Sequence, residues 1–246
     1  GDTLCLGESY TLAAAGAELY QWSPVNGLAN DKAATTVAKP TVTTLYRVIG
    51  FDDNNCFFDT AFVPIVVYNF PVVNAGPDKT IAVGSNLQLQ PQLSNDVSSL
   101  LWTPPNGLSC TTCPNPVAAP KQTTTYSLRV INAGGCPSQD QLTIFVFCNN
   151  GNLFMPNTFS PNKDGSNDVF YPRGSGLFRV KTLRIFNRWG EVVFERQNFA
   201  ANDASMGWDG MFKGQTASQD VYVYTIDIIC ENQTVLSYGG NIALIR

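Results

Sequence analysis

Hydrophobic and polar residues alternate along this chain in short stretches. Stretches rich in valine, isoleucine, threonine and aromatic residues are bounded by glycine, proline and asparagine, as at residues 45–49, 61–68 and 142–147. A two-residue alternation between turn residues is typical of strands, and no stretch sustains the 3.6-residue period of a helix. The pattern predicts an all-β chain folded as antiparallel sandwiches.

An internal repeat with an offset of 80 residues occupies the first part of the chain. Residues 22–28 return at 102–108 as Trp-X-Pro-X-Asn-Gly-Leu. Self-similarity at a fixed offset indicates two copies of one domain. The predicted domains are repeat 1 (residues 1–69), repeat 2 (residues 70–148) and a terminal domain (residues 149–246).

Each repeat contains one tryptophan, Trp22 or Trp102, followed by an Asn-Gly turn. A lone tryptophan of this kind is expected to fill the core between two sheets. The alternative is a role in stacking against a sugar, which requires the two side chains to be exposed.

Composition argues against several functions. The chain has no histidine, which removes the usual general base and the nucleophile pairs that depend on it. Its net charge of −4 and its lack of a basic cluster argue against nucleic acid as a partner. No apolar run reaches the roughly 20 residues of a membrane span. We therefore expect no enzymatic activity, no nucleic-acid partner and no transmembrane segment.

Seven cysteines are many for a reduced cytosolic protein, and they suit disulfides better than a metal site. The predicted bond between Cys5 and Cys56 closes repeat 1. Cys136 is the equivalent of Cys56 in repeat 2, and it is predicted to have no partner. A Cys-X-X-Cys pair lies in a loop of repeat 2, for which redox activity or half a zinc site are the alternatives to a small loop disulfide. The predicted pairs are Cys5–Cys56, Cys110–Cys113 and Cys148–Cys230.

Residues 156–168 are too rich in proline, asparagine, aspartate and glycine for a strand or a helix. Their polar side chains are expected to bond neighbouring backbone amides as Asx turns. The alternative is a calcium loop, although Ser160 and Tyr171 depart from the EF-hand pattern. The candidate calcium ligands are Asn162, Asp164, Asn167 and Asp168.

A hairpin is predicted at residues 183–194, with its turn at residues 188–191. Its turn either displays Arg188 and Trp189 as an anchor pair for a partner or packs Trp189 back on the sheet under Arg188. Trp208, which opens a Trp-Asp-Gly turn, is expected to point inward.

The last predicted strand, residues 241–245, reaches almost to the final residue. A terminal edge strand with unpaired amides suits the addition of a strand from a partner, and the alternative is that it only completes the sandwich. The candidate partner-binding residues here are Asn241, Ile242, Ala243, Leu244, Ile245 and Arg246.

Four motifs of the terminal domain carry a family resemblance. They occupy residues 156–170, 185–191, 208–210 and 239–246. In order and spacing they resemble the gliding-motility-associated C-terminal domain, the type B sorting domain of the type IX secretion system. The upstream repeats resemble the immunoglobulin-like repeats that precede this domain in surface adhesins. The resemblance implies an all-β fold of three consecutive antiparallel immunoglobulin-like β-sandwiches.

The resemblance also implies a function without chemistry. The terminal domain would be the export signal for passage from the periplasm to the cell surface or the extracellular space, in association with the outer membrane. The implied partners are the type IX translocon and a PorP/SprF-like outer-membrane β-barrel protein. The chain, which begins without methionine, is expected to be the C-terminal part of a large gliding or adhesion protein with the repeats as a stalk. The alternative is an adhesin module whose repeats bind a surface glycan or a matrix partner. No cofactor is required, and calcium is the one candidate.

Overall fold

The computed structural model describes residues 2–53 and 58–246. Within these ranges the chain forms twenty-three strands and two short 3-10 helices. The strands form three groups, one in each of the predicted domains, while the predicted domain bounds stay a prediction.

Repeat 1 is built from a four-stranded sheet and a facing two-stranded sheet. Its strands are β1 (Asp2–Cys5), β2 (Tyr10–Ala13), β3 (Leu19–Ser23), β4 (Thr35–Ala38), β5 (Thr44–Phe51) and β6 (Phe58–Tyr68). The larger sheet has the order β1-β6-β5-β3, and β2 pairs with β4. Leu12, Trp22, Tyr46 and Ile65 fill the space between the sheets. The pairing is antiparallel except between β1 and β6, which are parallel.

Repeat 2 has the same arrangement. Its strands are β7 (Val73–Asn74), β8 (Lys79–Ala82), β9 (Leu87–Gln88), β10 (Gln92–Leu93), β11 (Val97–Thr103), β12 (Val117–Ala118), β13 (Thr124–Asn132) and β14 (Pro137–Phe147). The main sheet has the order β11-β13-β14-β8, with β8 parallel to β14. The short pairs β9–β12 and β7–β10 complete the repeat. The core contains Trp102, Tyr126, Leu128 and Ile144.

Trp22 and Trp102 are both buried, at 1% and 0% exposure, which confirms that they belong to the core. The Trp22 indole Nε1 donates to the Ala33 carbonyl at 2.9 Å. The Trp102 Nε1 has no hydrogen-bond partner among the described residues. The residue equivalent to Ala33 is Cys113, which is bonded to Cys110.

Tyr46 and Tyr126 fix the same corner in the two repeats. The Tyr46 hydroxyl donates to the Asn26 carbonyl at 2.9 Å, and the Tyr126 hydroxyl donates to the Asn106 carbonyl at 2.7 Å. Burial raises the pKa of both tyrosines above the ordinary value of 10.0.

We expect the chain to lose stability as the pH rises past 10. Raised pKa values in the folded state mean that the unfolded chain gives up these protons first, so the stabilisation is complete below pH 10 and disappears as the pH rises through the folded-state values. Urea midpoints measured between pH 8 and pH 12 check this. The variant Tyr126→Phe, which cannot ionise at that position, should show a smaller fall, and equal falls in both proteins would contradict the assignment.

The terminal domain contains a five-stranded sheet. Its strands are β15 (Leu153–Phe154), β16 (Thr158–Phe159), β17 (Arg173–Gly174), β18 (Leu177–Phe186), β19 (Val192–Phe199), β20 (Met211–Phe212), β21 (Gln215–Thr216), β22 (Asp220–Cys230) and β23 (Val235–Leu244). The sheet has the order β16-β23-β22-β18-β19, and β16 is parallel to β23. The pairs β15–β17 and β20–β21 lie outside it, and the 3-10 helices are Asn150–Asn152 and Ala204–Met206.

Two sheets over a shared aromatic core are the arrangement of an immunoglobulin-like β-sandwich. The predicted all-β immunoglobulin-like fold class is therefore confirmed. The structure adds one parallel pair to each domain, where the sequence predicts antiparallel pairing alone.

The first disulfide joins the two repeats. Cys5 is bonded to Cys136 with their Cα atoms 5.5 Å apart, so the predicted Cys5–Cys56 bond and the unpaired Cys136 are both wrong. Cys56 itself lies outside the described residues. The reason is the parallel pairing of β1 with β6, which places Cys5 opposite Tyr68 at the end of β6. The Tyr68 carbonyl lies 3.9 Å from the Cys136 sulfur.

The other two disulfides have the predicted partners, Cys110–Cys113 and Cys148–Cys230. Cys148 directly follows β14 and Cys230 ends β22, where it is buried against the core of repeat 2. This bond therefore ties repeat 2 to the terminal domain, whereas the sequence predicts a staple across the terminal domain alone.

Polar contacts accompany each of these covalent links. At the first junction the Asn132 Nδ2 donates to the Asn69 carbonyl at 2.8 Å. Gly134 lies so close to Tyr68 that an added Cβ would be 2.3 Å from its ring. At the second junction the Asn152 Nδ2 donates to the Val83 carbonyl at 3.1 Å. Each junction between domains is thus held by a disulfide and by a hydrogen bond from an asparagine side chain.

Candidate functional site

The hairpin between β18 and β19 has a turn that is fixed by its own first residue. The Asn187 Oδ1 accepts hydrogen bonds from the backbone N–H groups of Trp189 at 3.0 Å and Glu191 at 2.9 Å. The Asn187 backbone N–H donates to the Glu191 carbonyl at 3.0 Å, which closes the turn. Trp189 projects from this turn and is 84% exposed. The alternative in which Trp189 packs back on the sheet is therefore wrong.

Arg188, beside it, is held by the first residue of β22. The Arg188 Nε donates to the Asp220 Oδ2 at 2.6 Å, and its Nη2 contacts the same oxygen. The hydrogen bond from Arg188 lowers the pKa of Asp220 below its ordinary value, and the Val221 backbone N–H adds to this. Asp220 thus fixes the direction of the hairpin, a role that the sequence does not reveal.

The last strand begins earlier than predicted, and its C-terminal end is paired on both sides. β23 starts at Val235, and its end lies between β22 and the short strand β16. The Ala243 N–H donates to the Asn157 carbonyl at 2.9 Å, and the Ile245 N–H donates to the Phe159 carbonyl at 3.1 Å. The prediction of unpaired amides at residues 241–245 is wrong for these two residues, because the chain around Phe159 adds a strand that the proline-rich sequence hides.

An open stretch of the same edge lies just upstream. Since the backbone of a strand alternates with a period of two, the N–H groups of Ser237, Gly239 and Asn241 point to the same side as that of Ala243. In the described part of the chain only β16 pairs with that side, and it reaches no further than Ala243. The edge that can accept a further strand is therefore residues 235–241.

The side chains of the last strand divide between core and surface. Ile242 and Leu244 are buried in the core of the terminal domain. Asn241, Ile245 and Arg246 are exposed. Only the second group is available to a partner without unfolding the strand.

The loop at residues 160–168 uses its polar side chains to bond its own backbone. The Asp168 carboxylate accepts from the N–H groups of Lys163 at 2.6 Å and Gly165 at 2.8 Å. The Asp164 Oδ1 accepts from the Ser166 N–H at 2.7 Å, and its Oδ2 accepts from the Asn162 Nδ2 at 2.9 Å. The Asn162 hydrogen bond lowers the pKa of Asp164.

These contacts are those of the self-bonded Asx turns. Within residues 2–53 and 58–246 no three histidine, cysteine, aspartate or glutamate side chains lie together in a metal-binding group. Calcium at Asn162, Asp164, Asn167 and Asp168 stays a prediction.

Aromatic residues from two of the sequence motifs meet Tyr222 of β22 in the core of this domain. Trp208 is fully buried and lies edge-on to Tyr222, with ring centroids 4.9 Å apart. Phe159 is 5.2 Å from Trp208 and 6.2 Å from Phe170. The expectation that Trp208 points inward is confirmed, and the motifs are linked by packing rather than by catalysis.

Gly210, the last residue of the Trp-Asp-Gly turn, links the same two motifs. Its φ is +75°, which favours glycine, and an added Cβ would lie 2.8 Å from Cγ of Pro161. The turn and the loop can approach each other only because this residue has no side chain.

The hairpin turn, the loop and the chain terminus all lie at one end of the terminal domain. Asp220 contacts Arg188 and stands opposite Leu244 in the register of β22 and β23. The other end of β22 is Cys230, bonded to Cys148. Since β22 has eleven residues, the two ends are about 35 Å apart. We call this end, formed by the turn at residues 187–191, the loop at residues 160–168 and residues 243–246, the distal end.

A shallow cavity of about 200 Å³ opens beside the distal hairpin. Trp189, Phe212, Thr216 and Tyr222 are among the residues that line it. The Lys213 Nζ, close by, donates to the Glu191 Oε1 at 2.9 Å and lowers the pKa of that carboxyl. The distal end thus offers an exposed indole, a small and mostly polar recess and paired charges, and it presents a surface suited to recognition.

Comparison with known protein families decides the identity of this domain. Residues 153–244 match the family model of the CHU_C type IX secretion signal domain. The terminal domain is a type IX secretion signal domain. Such a signal directs a protein to the cell surface or the extracellular space. In the part of the chain that the structure describes, no helix is both long and apolar enough to span a bilayer.

The comparison with curated proteins returns no match. Among solved structures, a mutated variant of three titin immunoglobulin domains is similar with a TM-score of 0.40 at 10% identity, over 99% of this chain and 95% of that chain. Immunoglobulin domains 1–5 of Sidekick-1 give a TM-score of 0.38 at 12% identity, over 98% of this chain and 56% of that chain. At these scores the likeness adds nothing to the architecture described above.

Proposed function

We propose that this chain is the C-terminal part of a large secreted cell-surface protein whose secretion signal domain is read by the type IX translocon at the distal end. The observation that carries the proposal is Trp189, an 84% exposed indole on a turn that Asn187 and Asp220 hold in place. A rigid, exposed aromatic residue is the kind of anchor that dominates binding energy at interfaces. It stands at the end of the domain that repeat 2 does not cover.

The partner in this proposal is a PorP/SprF-like outer-membrane β-barrel protein of the translocon. Two features suit such a partner. The open edge of β23 runs from Asn241, next to the distal end, back to Val235, and it can pair with a strand of another protein. Trp189 can enter an apolar pocket. Binding of this kind needs neither a cofactor nor a reaction, and it leaves the exported protein associated with the outer membrane.

The repeats act in this proposal as a stalk. Each junction combines a disulfide with side chain to backbone hydrogen bonds, which limits bending between domains. A stiff row of domains carries whatever lies further from the membrane, including an adhesive or gliding segment.

The second candidate is an adhesin module whose repeats bind a glycan or a matrix protein. Burial of Trp22 and Trp102 removes the residues that could stack on a sugar. Exposed aromatic residues on one sheet of repeat 1 still favour a binding role for that repeat.

An export assay tests the first proposal. A periplasm-targeted fluorescent protein fused to residues 148–246 is expressed with the barrel partner in a host that has the type IX system. We expect Trp189→Ala to reduce surface delivery at least about tenfold, since a central aromatic anchor contributes more than 1 kcal/mol. Deleting residues 241–246 is unsuitable, because it removes Ile242 and Leu244 from the core.

The matched control is Phe178→Ala. Phe178 is also a large exposed aromatic residue, but it neighbours Leu177, which pairs with Cys230 at the end that faces repeat 2. Its replacement is expected to leave delivery unchanged. Normal delivery of the Trp189→Ala protein would remove the distal end from the proposal.

A further inference from the structure

The outer face of the main sheet of repeat 1 is apolar. On β5 and β6 alternate side chains point away from the core, and on this face Phe58 is 74% exposed and Phe62 is 60% exposed. On the neighbouring strand, Phe51 lies opposite Phe58 and Ile49 lies opposite Thr60, and both are half-buried. The remaining exposed apolar residues of this face are Leu19, Leu45 and Val66. We call these residues, together with Ile49 and Phe51, the repeat 1 face.

Repeat 2 shows that the fold does not require this face. Thr44 pairs with Ile65 in repeat 1, and Thr124 pairs with Ile144 in repeat 2. These equivalent pairs show which residues of the two main sheets correspond. Polar residues of repeat 2 then replace apolar residues of the repeat 1 face: Thr125 stands for Leu45, Arg129 for Ile49 and Gln141 for Phe62. In repeat 2 the hydroxyls of Thr125 and Thr143 lie 3.0 Å apart. At Leu45, Ile49 and Phe62 the apolar residues are therefore specific to repeat 1, whereas Val66 corresponds to Phe145, which is also exposed.

The size of the face fits a protein partner. Its five exposed side chains offer about 500 Å² of apolar surface, which is near the upper end for a monomer. A standard interface covers about 800 Å² on each partner, of which about 56–65% is apolar. The repeat 1 face supplies that apolar area almost alone.

The repeat 1 face has acidic charge at the end near Phe51 and a basic residue, Arg47, on the other side of Ile49. Residues 1–69 contain seven acidic and three basic residues, so this segment carries the whole net charge of −4. Asp53 is exposed at the end of the sheet, two residues after Phe51. Its N–H donates to the Glu18 Oε2 at 2.8 Å, and Glu18 itself lines the cavity that also contains Trp22 and Val48, on the other side of the sheet. Arg47 is exposed on the face itself, four residues along β5 from Phe51, and it forms no ion pair with any of the described residues.

We propose that repeat 1 binds a second copy of this chain, face to face, about a two-fold axis at Ile49. Ile49 lies midway between Arg47 and Phe51 on β5. Rotation about it sets the Arg47 row of one copy over the Phe51 row of the other, beside Asp53 at that end. Each Arg47 side chain then lies near Asp53 of the other copy while the aromatic residues pack together, as in two sheets stacked about 10 Å apart. This inference is independent of the export function, since it concerns a different domain.

Sedimentation of the full chain over a range of concentrations tests the proposal. We expect a weak dimer, with a Kd of about 10–100 μM. The variant carrying Leu45→Thr and Phe62→Gln takes the residues that repeat 2 has at the same places, so the fold accommodates them. We expect its Kd to rise at least about 100-fold.

Two further variants complete the experiment. Leu101→Gln removes an exposed apolar residue from the same face of repeat 2, at the position equivalent to Gln21, and is expected to dimerise as the original chain does. Arg47→Glu keeps the core intact and is expected to weaken the dimer at least about tenfold through like charges at the interface.

Three outcomes would overturn the proposal. They are a chain that stays monomeric up to about 0.5 mM, a dimer that persists in the Leu45→Thr and Phe62→Gln variant, and a dimer that Leu101→Gln disrupts equally. Binding of the monomeric chain to an immobilised glycan through Phe62 would assign the face to that ligand instead.

Discussion

Replacing Trp208 with alanine is expected to destabilise the secretion signal domain by about 3–5 kcal/mol. The side chain is fully buried, lies edge-on to Tyr222 and is 5.2 Å from Phe159. Its Nε1 also donates to the Met211 carbonyl at 2.9 Å, which ties the turn to β20. The substitution therefore leaves a cavity and an unpaired carbonyl at the point where the sequence motifs meet. Urea unfolding of the chain, followed by the fluorescence of the remaining tryptophans, measures the loss.

Trp189→Ala is the control, because it removes the same side chain from an exposed position in the same domain. It should change the free energy of unfolding by no more than about 0.5 kcal/mol. Together with the export assay, the two variants separate folding from recognition. Equal losses of stability in both variants would mean that the distal hairpin is part of the core after all.

Replacing Cys5 and Cys136 with serine is expected to have the second largest effect. The bond joins residues 131 apart in the sequence, so its removal is expected to lower the stability by up to about 4 kcal/mol. The contacts that remain at this junction include the hydrogen bond from Asn132 to Asn69 and the packing of Tyr68 on Gly134. We expect the junction to become a hinge. Calorimetry gives the loss of stability, and small-angle X-ray scattering gives the spread of overall dimensions.

The matching control replaces Cys110 and Cys113, which are only three residues apart and lie within repeat 2. Their loss should leave the scattering profile unchanged. A Cys5 and Cys136 variant with the scattering profile and melting temperature of the original chain would show that the polar contacts alone fix the junction.

The sequence predicts most of the architecture because each repeat carries its own core signal. The recurrence of Trp22 as Trp102 places the same residue between the same two sheets, and both are buried as expected. The motifs of the terminal domain likewise predict the buried Trp208. These features are local, since they depend on which residues lie within one domain.

Contacts between domains are where prediction from the sequence fails. Cys56 and Cys136 occupy equivalent positions, so treating each repeat as a closed unit assigns Cys5 to the wrong partner. The bond to Cys136 depends on the parallel pairing that brings Cys5 beside Tyr68, the last residue of β6. The alternation of residues in one strand shows which face of that strand is buried. It does not show which other strand pairs with it.

The edge of the last strand fails for a related reason. Thr158 and Phe159 lie among proline and asparagine residues, a composition that predicts a loop, yet they pair with Ala243 and Leu244. Two residues are too short a strand to leave a pattern. Their effect is to shift the open edge of β23 toward Val235.

The two disulfides at the junctions also define how tension would pass along the molecule. A pull between the two ends of the chain enters at Cys5, crosses to Cys136, follows the backbone to Cys148 and crosses again to Cys230. Residues 6–135 and 149–229 lie outside this covalent route. The backbone between the two crossings is short, about 40 Å when fully extended. While both bonds are intact, residues 6–135 and 149–229 are therefore sheltered from the force, whereas β14 and β23 lie on the route and bear it.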